Sequence, residues 1–279
     1  MKRIVTIQDI SCVGKCSLTV ALPIISAMGV ETAVVPTAVL STHTAFKDFT
    51  FRDLTEDITA IAEHWKKEAI DFDAIYTGYL GSFEQLELVS RFMDDFKTRD
   101  NIIFIDPVMA DNGKLYTGFT QEFADRMATL CRKADVIVPN LTEASFMLGI
   151  PYPGEDYDEA YIKELLIRLS ELGAHKVVLT GVSFDKKLLG TMSYNTDTKQ
   201  YFSYFRERIP VNFHGTGDVF SSCCLGALMK GYSLEDSLKI AVDYTVNSIQ
   251  RSVDNPSHRW YGVDFESALP SLIKRLEKC

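Results

Sequence analysis

Short apolar runs rich in β-branched residues alternate with amphipathic stretches along the first two thirds of the chain. The apolar runs predict buried strands, and the helical spacing of apolar positions between them predicts helices. The predicted strands are Arg3–Ile7, Thr32–Thr37, Ala74–Thr77, Ile102–Ile105, Val136–Val138 and Lys176–Thr180. The helices predicted between them are Leu18–Met28, Glu56–Glu68, Phe83–Lys97, Phe119–Cys131 and Glu159–Leu172. This alternation indicates an α/β fold with a central, mostly parallel sheet and helices on both faces.

The pattern changes after Gly181, where two stretches of alternating residues predict an antiparallel hairpin, Leu188–Tyr194 and Gln200–Arg206. The rest of the chain predicts helices at Gly217–Met229, Leu234–Arg251 and Phe265–Lys278. There is no internal repeat, low-complexity tract or linker rich in Pro, Gly or Ser. Residues 1–279 are therefore expected to form a single domain.

Composition narrows the class of protein. The hydrophobic content is 46%, the charged content is 24% and the net charge is −9, which is typical of a soluble globular chain and argues against nucleic-acid binding. The six cysteines form no CxxC pair, so no zinc site is expected. The first residues, MKRIVTIQDI, lack the apolar core of a signal peptide, and no apolar run is long enough to span a membrane. A cytoplasmic protein with reduced thiols and no membrane partner is expected.

The sharpest candidate for chemistry is His214-Gly215-Thr216-Gly217-Asp218, which precedes a helical run. Two glycines allow a tight turn that exposes successive N–H groups, and the start of a helix favours an anion. Asp218 could accept the proton of an attacking hydroxyl group. Taken alone, the motif is more often a glycine turn in which an aspartate caps a helix.

Two more motifs directly follow predicted strands, where ligands bind in doubly wound folds. Asp106, in DPVMAD, is placed to hold a hydrated Mg²⁺, although an Asp-Pro turn explains the local pattern equally well. In PNLTEA, Asn140 or Thr142 could cap the next helix, and the carboxylate of Glu143 could reach a metal-bound water. Helix capping is the stronger interpretation of that motif in isolation.

The segment Gly14-Lys15-Cys16-Ser17 does not form a P-loop motif, because Asp9 stands where a glycine is required and Cys16 where Ser or Thr is required. Asp9 and Ser11 are candidates for polar contact with a substrate, because they follow the first predicted strand. A plain loop explains them equally well.

Polar and aromatic residues also follow other predicted strands. His43 and Thr44 lie in STHTAF, and Tyr79, in TGYLGS, suits stacking on an aromatic ligand. Each of these side chains could instead be a satisfied buried group.

In this order, the motifs resemble the ribokinase superfamily and, within it, the pyridoxal kinase branch. The resemblance extends from Ile4 to Ser248. The matching stretches are IQD (7–9), Gly14, STHTAF (41–46), TGYLGS (77–82), DPVMAD (106–111), PNLTEA (139–144), VVLT (177–180) and GTGD (215–218). The resemblance implies a ribokinase-like domain with a minimal lid that uses Mg²⁺ and ATP to phosphorylate the 5′-hydroxymethyl group of a vitamin B6 vitamer.

The resemblance also implies a role for each matching residue. Asp218 would be the catalytic base, and Gly215, Thr216 and Gly217 would form the anion hole. The nucleotide would be lined by Asp106, Asn140, Glu143, Thr180, Val211, Asn212, Phe213 and His214, with Asp106 and Glu143 facing the metal. The pyridine ring would be surrounded by Asp9, Ser11, His43, Thr44 and Tyr79. A homodimer is implied, and a requirement for a monovalent cation is left open.

Two departures from related patterns bear on the substrate. Hydroxymethylpyrimidine kinases usually carry Cys at the position of Asp218 and a Gly-rich first loop, so this chain resembles pyridoxal kinases more. Pyridoxal kinases usually carry Ser where this chain has Asp9. A carboxylate there could attract the amine of pyridoxamine.

Two alternatives to a vitamin B6 kinase stay open from sequence. The first is a kinase of the same fold that acts on a hydroxymethylpyrimidine, a nucleoside or a sugar. The second is a non-catalytic protein that binds pyridoxal phosphate or a nucleotide, although such a protein has no need of Asp218.

Overall fold

The computed structural model describes residues 1–277, and the last predicted helical residue, Lys278, and the sixth cysteine, Cys279, lie outside the described residues. The strands are β1 (Arg3–Ser11), β2 (Glu31–Leu40), β3 (Phe51–Asp53), β4 (Ala74–Thr77), β5 (Ile102–Ile105), β6 (Ala110–Asp111), β7 (Lys114–Leu115), β8 (Val136–Ile137), β9 (Lys176–Val182), β10 (Leu188–Asn195) and β11 (Gln200–Glu207). The helices are α1 (Leu18–Ala27), α2 (Thr55–Lys67), α3 (Phe83–Phe96), α4 (Gln121–Cys131), α5 (Leu141–Leu148), α6 (Glu159–Ser170), α7 (Thr216–Met229), α8 (Leu234–Asp254) and α9 (Phe265–Leu276). No helix within the described range has the length and apolarity needed to cross a membrane.

The described residues divide into two compact units, one made of residues 1–74 with 209–277 and the other of Ile75–Arg208. In the first unit, β1 pairs in parallel with β2, and β2 pairs antiparallel with the short β3. Helix α7 packs against α1 and α8, and α8 packs against α9. Fully buried isoleucines of β1 and α1 fill the core between these elements.

In the second unit, the strands follow the order β11-β10-β9-β8-β5-β4. Strands β5, β8 and β9 are parallel, whereas β9, β10 and β11 are antiparallel neighbours. The hairpin predicted after Gly181 is therefore present as β10 and β11. Helix α4 packs against α3 and α5, and α6 packs against β9 and β10. The predicted α/β class with a mostly parallel sheet is confirmed.

Several strands are longer than the sequence predicts. Strand β1 continues to Ser11 and pairs with β2 as far as Leu40, so Asp9 and Ser11 lie in the strand and not after it. Strand β9 likewise continues past its predicted end at Thr180 to Val182. Polar residues ended the predicted strands, but strand pairing uses backbone groups and tolerates a polar side chain that finds partners. A register shift between Gln8 and Ile10 accommodates the polar end of β1.

Four short elements had no predicted bounds. Strand β3 has three exposed residues and hence no burial pattern. Strands β6 and β7 form a hairpin around Asn112 and Gly113, whose φ angles are 52° and 75°. This Asn-Gly pair is the typical sequence of a tight hairpin turn and could have revealed the element. Helix α5 begins after Asn140, which is the cap of the two candidates, Asn140 and Thr142, that the sequence left open.

Candidate active site

The glycine-rich turn leads directly into α7 in the first unit. Gly215 is the N-cap residue of α7 with a φ of 77°, a left-handed conformation that favours glycine. A Cβ atom at this position would lie 2.0 Å from the carbonyl oxygen of Lys15, so the turn closely approaches the backbone of the loop between β1 and α1. Gly215 has no side chain that could cap the first N–H groups of α7, and the start of a helix favours an anion.

Asp218 lies in the first turn of α7 and is buried, with 8% of its surface exposed. Cys16, in the loop between β1 and α1, is close to it. Burial raises the pKa of the Cys16 thiol to about 12, with further contributions from the charges of Asp218 and Asp9. The structure thus brings Asp218 and Asp9, which are far apart in sequence, within electrostatic range of one thiol group.

Asp9 is a buried carboxylate at the end of β1, with 4% of its surface exposed. Its Oδ2 accepts a hydrogen bond of 3.0 Å from the hydroxyl of Ser11. Burial raises the pKa of Asp9, and hydrogen bonds from Ser17 and Ser11 only partly offset this effect. No basic side chain in the described part of the chain acts on Asp9, so its charge has hydrogen bonds but no counter-ion.

His43 occupies a defined orientation beside the turn. Its Nδ1 accepts a 3.1 Å hydrogen bond from the N–H of Ala45, so Nε2 carries the proton and donates to the carbonyl of Tyr261 at 3.1 Å. Burial lowers the pKa of His43, which favours this neutral form. Its ring centroid lies 5.0 Å from that of His214. Thr44 follows it as an exposed residue.

Gly14 is needed for this arrangement. A Cβ atom on Gly14 would lie 2.7 Å from Cδ2 of His43, so any side chain at this position would push the imidazole aside. The match of Gly14 to the resembled family pattern therefore has a steric reason in this chain.

The second unit holds a pair of acidic residues after its strands. Asp106 is buried directly after β5, and its N–H donates to the carbonyl of Thr77 at 3.0 Å. Glu143 is buried in the first turn of α5 and accepts backbone hydrogen bonds with both carboxylate oxygens, from Met109 at 3.0 Å and from Asn140 at 2.9 Å. Burial and the charge of Asp106 raise the pKa of Glu143 above its usual range.

Asn140 and Glu143 form a reciprocal capping box. The side-chain oxygen of Asn140 accepts from the N–H of Glu143 at 2.9 Å, and the carboxylate of Glu143 accepts from the N–H of Asn140. The Asn140 amide also donates to the carbonyl of Ala110 at 2.8 Å. Capping therefore accounts for both residues, and it holds the Glu143 carboxylate at a fixed place.

The Asp106 and Glu143 carboxylates are of the type that would fit a magnesium ion. Between residues 1 and 277 no group of three or more His, Cys, Asp or Glu side chains forms a complete metal cage. Magnesium commonly takes only one or two protein carboxylates and completes its shell with phosphate oxygens and water. A cation would also offset the repulsion between Asp106 and Glu143 that raises the pKa of Glu143.

The other predicted nucleotide and ring residues are divided between the units. Thr180 in β9 forms a bridge with Asn140, and its N–H donates to the carbonyl of Pro139 at 3.0 Å. The ring of Tyr79, also in the second unit, stacks on Phe119 at 5.6 Å. In the first unit, Phe213 packs edge-on against His258, while its neighbours Val211, Asn212 and His214 are exposed.

The sequence did not predict that Lys15 and Cys16 lie beside the glycine-rich turn and Asp218. Rejection of the P-loop agrees with the structure, in which the Lys15 ammonium binds Asp264 and Glu266, both at 2.9 Å. These partners are about 250 residues away along the chain. No local pattern could have indicated the contact.

Comparison with known proteins agrees with this fold. A candidate phosphomethylpyrimidine kinase of Bacteroides thetaiotaomicron is 40% identical, with a TM-score of 0.94 over 97% of this chain and 93% of its own. An orthorhombic crystal form with pyridoxal gives a TM-score of 0.92. The pyridoxal kinase of Lactobacillus plantarum is 28% identical, with a TM-score of 0.90 over 100% of this chain and 99% of its own.

Sequence relatives point the same way. The pyridoxal kinase of Arabidopsis thaliana is 24% identical over 99% of this chain and 90% of its own length. The hydroxymethylpyrimidine/phosphomethylpyrimidine kinase of Haemophilus influenzae is 28% identical over 66% of this chain and 69% of its own length. Residues 21–260 match the phosphomethylpyrimidine kinase family. The chain therefore belongs to the phosphomethylpyrimidine kinase family of the ribokinase-like superfamily, and pyridoxal kinases are among its relatives.

Proposed function

We propose that this chain is a pyridoxal kinase, which transfers the terminal phosphoryl group of ATP to the 5′-hydroxymethyl group of a vitamin B6 vitamer. The observation that carries the proposal is Asp218, a buried carboxylate that follows the glycine turn in the first turn of α7. A base and an anion-binding turn next to each other are the parts that phosphoryl transfer to a hydroxyl group requires.

In the proposed reaction, Asp218 takes the proton of the substrate hydroxymethyl group as its oxygen attacks the terminal phosphorus. One O–P bond forms, the bond from phosphorus to the bridging oxygen of ATP breaks, and ADP leaves. The N–H groups of Gly215, Thr216 and Gly217 stabilise the charge that spreads over the transferring oxygens. Their orientation is fixed before the reaction by the left-handed turn at Gly215.

The ring-binding part of the proposal comprises Asp9, Ser11, His43, Thr44 and Tyr79. Asp9 and Ser11 are already joined by a hydrogen bond, and His43 is held in one tautomer by the backbone of Ala45 and Tyr261. Because no basic side chain among residues 1–277 acts on Asp9, a protonated amine on the ligand would supply a counter-ion. This charge argument favours pyridoxamine among the vitamers.

For the nucleotide, we propose that Asp106 and Glu143 hold Mg²⁺, Glu143 through a bound water because both of its oxygens accept backbone N–H groups. The metal would neutralise phosphate charge when bound. Asn140 and Thr180, which the structure joins by a backbone bridge, would line the nucleotide together with Val211, Asn212, Phe213 and His214. We further propose a cytoplasmic homodimer in which each chain acts as one kinase domain.

A second candidate, hydroxymethylpyrimidine kinase, rests on the family match over residues 21–260. The carboxylate at position 218 favours the vitamin B6 activity, because the pyrimidine kinases usually carry Cys there. A protein that only binds pyridoxal phosphate would not need a catalytic base such as the buried Asp218.

The test is ATP-dependent phosphorylation, with Mg²⁺, of pyridoxal, pyridoxamine, pyridoxine and hydroxymethylpyrimidine in parallel. The proposal expects at least one B6 vitamer to turn over with a higher kcat/KM than the pyrimidine. Turnover of the pyrimidine alone would move the activity to the second candidate. Tight vitamer binding without any turnover would support the binding-protein alternative.

A further inference from the structure

The loop between β1 and α1, residues 12–17 and called the first loop below, has an unusual backbone. Lys15 and Ser17 have φ angles of 52° and 50°, in the left-handed region that non-glycine residues rarely adopt. Such a conformation is strained and persists only where its surroundings hold it. Something in the fold must therefore hold the first loop in place.

The side chain of Lys15 provides the anchor. Its Nζ donates to Asp264 Oδ1 at 2.9 Å, to Glu266 Oε2 at 2.9 Å and to the carbonyl of Val263 at 3.1 Å. An ammonium group has three N–H donors, so these three acceptors use all of them. Lys15 has no donor left for a phosphate, which excludes the direct role that a P-loop lysine plays.

The anchor is itself held on the protein side. The Oδ2 atom of Asp264 accepts from the amide of Asn255 at 2.8 Å, and its backbone N–H donates to the hydroxyl of Ser252 at 2.7 Å. Burial lowers the pKa of Lys15, but hydrogen bonds to Asp264 and Glu266 outweigh burial and leave it above its usual value. The ion pair is therefore formed across the neutral pH range.

The backbone of Lys15 in turn fixes the glycine turn. Its carbonyl oxygen is so close to Gly215 that an added Cβ would lie 2.0 Å away. On the other side, a Cβ on Gly262 would lie 2.5 Å from Cβ of Lys15. Lys15 is thus held between the turn that precedes Asp218 and the segment that carries its own anchors.

We propose that Lys15 is a positioning residue: its ion pairs with Asp264 and Glu266 lock the first loop, and the carbonyl of Lys15 sets the place of the anion-binding turn at Gly215. The kinetic part of this inference rests on the proposed kinase function. The structural part does not, because it concerns only how the first loop is held.

The experiment compares Lys15→Met with Lys15→Arg, which keeps the charge, and with Lys163→Met. The last variant is the matched control, because Lys163 makes an exposed ion pair with Glu159 in α6. Two assays are used. The first measures kcat and KM with a B6 vitamer and ATP, and the second measures the rate at which a thiol reagent modifies Cys16. The thiol assay is done in a Cys12→Ser background, because Cys12 is exposed.

Lys15→Met should lower kcat by about 10–100-fold with little change in either KM, because an anion turn displaced by about 1 Å loses contacts made in the transition state. Modification of Cys16 should become at least about 10-fold faster, because this thiol is protected only while the first loop is locked. Lys15→Arg should recover much of both properties, and Lys163→Met should match the wild type.

Three results would overturn the inference: an unchanged kcat in Lys15→Met, a raised KM for ATP at constant kcat, or an unchanged rate of Cys16 modification. If Lys15→Met does not fold, Glu266→Gln, which removes only the more exposed carboxylate, should show the same changes at smaller size. If the wild type has no kinase activity, the proposed function fails, and the Cys16 rate alone decides whether Lys15 locks the first loop.

Discussion

Replacement of Gly215 by alanine tests the geometry of the anion turn. Gly215 has a φ of 77°, and an ideal Cβ on it would lie 2.0 Å from the carbonyl oxygen of Lys15. Real Cβ contacts are essentially never shorter than 3.0 Å, so the turn and the first loop must separate by about 1 Å. The variant therefore combines an unfavourable backbone conformation with a displacement at the site of phosphoryl transfer.

The two effects have different expected sizes. A left-handed alanine costs roughly 1–2 kcal/mol, which corresponds to a Tm lower by roughly 2–8 °C at about 2–4 °C per kcal/mol. A displacement of about 1 Å in a catalytic constellation can lower the rate by about 10²-fold. Because the anion turn acts mainly on the transition state, kcat should fall far more than KM rises.

Gly231→Ala is the matched control. Gly231 also has a positive φ, of 91°, but a Cβ there would meet no atom of residues 1–277 within 4 Å. It lies beyond the opposite end of the 14-residue helix α7. The control should lose stability by the backbone term alone and keep its kcat. Thermal unfolding and steady-state kinetics of both variants measure the difference. Equal kcat values for Gly215→Ala and the wild type would show that the turn at Gly215 does not stabilise the transition state of phosphoryl transfer.

Three further predictions concern charged groups. Asp9→Ser should lower kcat/KM for pyridoxamine relative to pyridoxal, because it removes the buried carboxylate that an amine would pair with; an unchanged ratio in parallel assays would contradict this. Magnesium should raise Tm more at pH 8.5 than at pH 6.5, because burial and the charge of Asp106 raise the pKa of Glu143 and protons compete with the metal. Asp106→Asn should remove most of that shift, and an equal shift in the variant would place the metal elsewhere. Asp264→Asn should lower Tm at pH 7 but much less at pH 3. Burial raises the pKa of Asp264, but the hydrogen bond from Lys15 outweighs burial and leaves that pKa below its usual value. A carboxyl group whose pKa is lowered in the folded state contributes stability that is lost as the pH falls through this lowered pKa. A Tm difference independent of pH would contradict the last prediction.

Local patterns predict most of the elements, because burial in a parallel sheet and along amphipathic helices leaves a clear signal in the residues. The β4 and β5 strands have the predicted bounds. The pattern fails where burial and polarity coincide, as at Asp9 and Ser11, which lie within β1 because their polar groups bond to one another. It also fails for β3, whose three residues are all exposed.

The candidate site follows the same division. Asn140 and Thr180 each follow or end a predicted strand, and the resemblance assigned both to the nucleotide; the structure joins them by a backbone bridge. The closeness of Asp9 to Asp218 and the anchoring of Lys15 by Asp264 depend on how distant segments pack. Such contacts have no periodicity in sequence, and hence no local signal.

The most direct test of the central claim is single-turnover phosphorylation of the preferred B6 vitamer by Asp218→Asn beside the wild type, with vitamer binding measured separately by calorimetry. Asparagine keeps the size of the side chain but does not accept a proton, so the rate should fall by about 10²–10⁴-fold while the vitamer Kd stays within about threefold. A rate equal to that of the wild type, with binding retained, would show that Asp218 is not the base and would contradict the proposed mechanism of phosphoryl transfer.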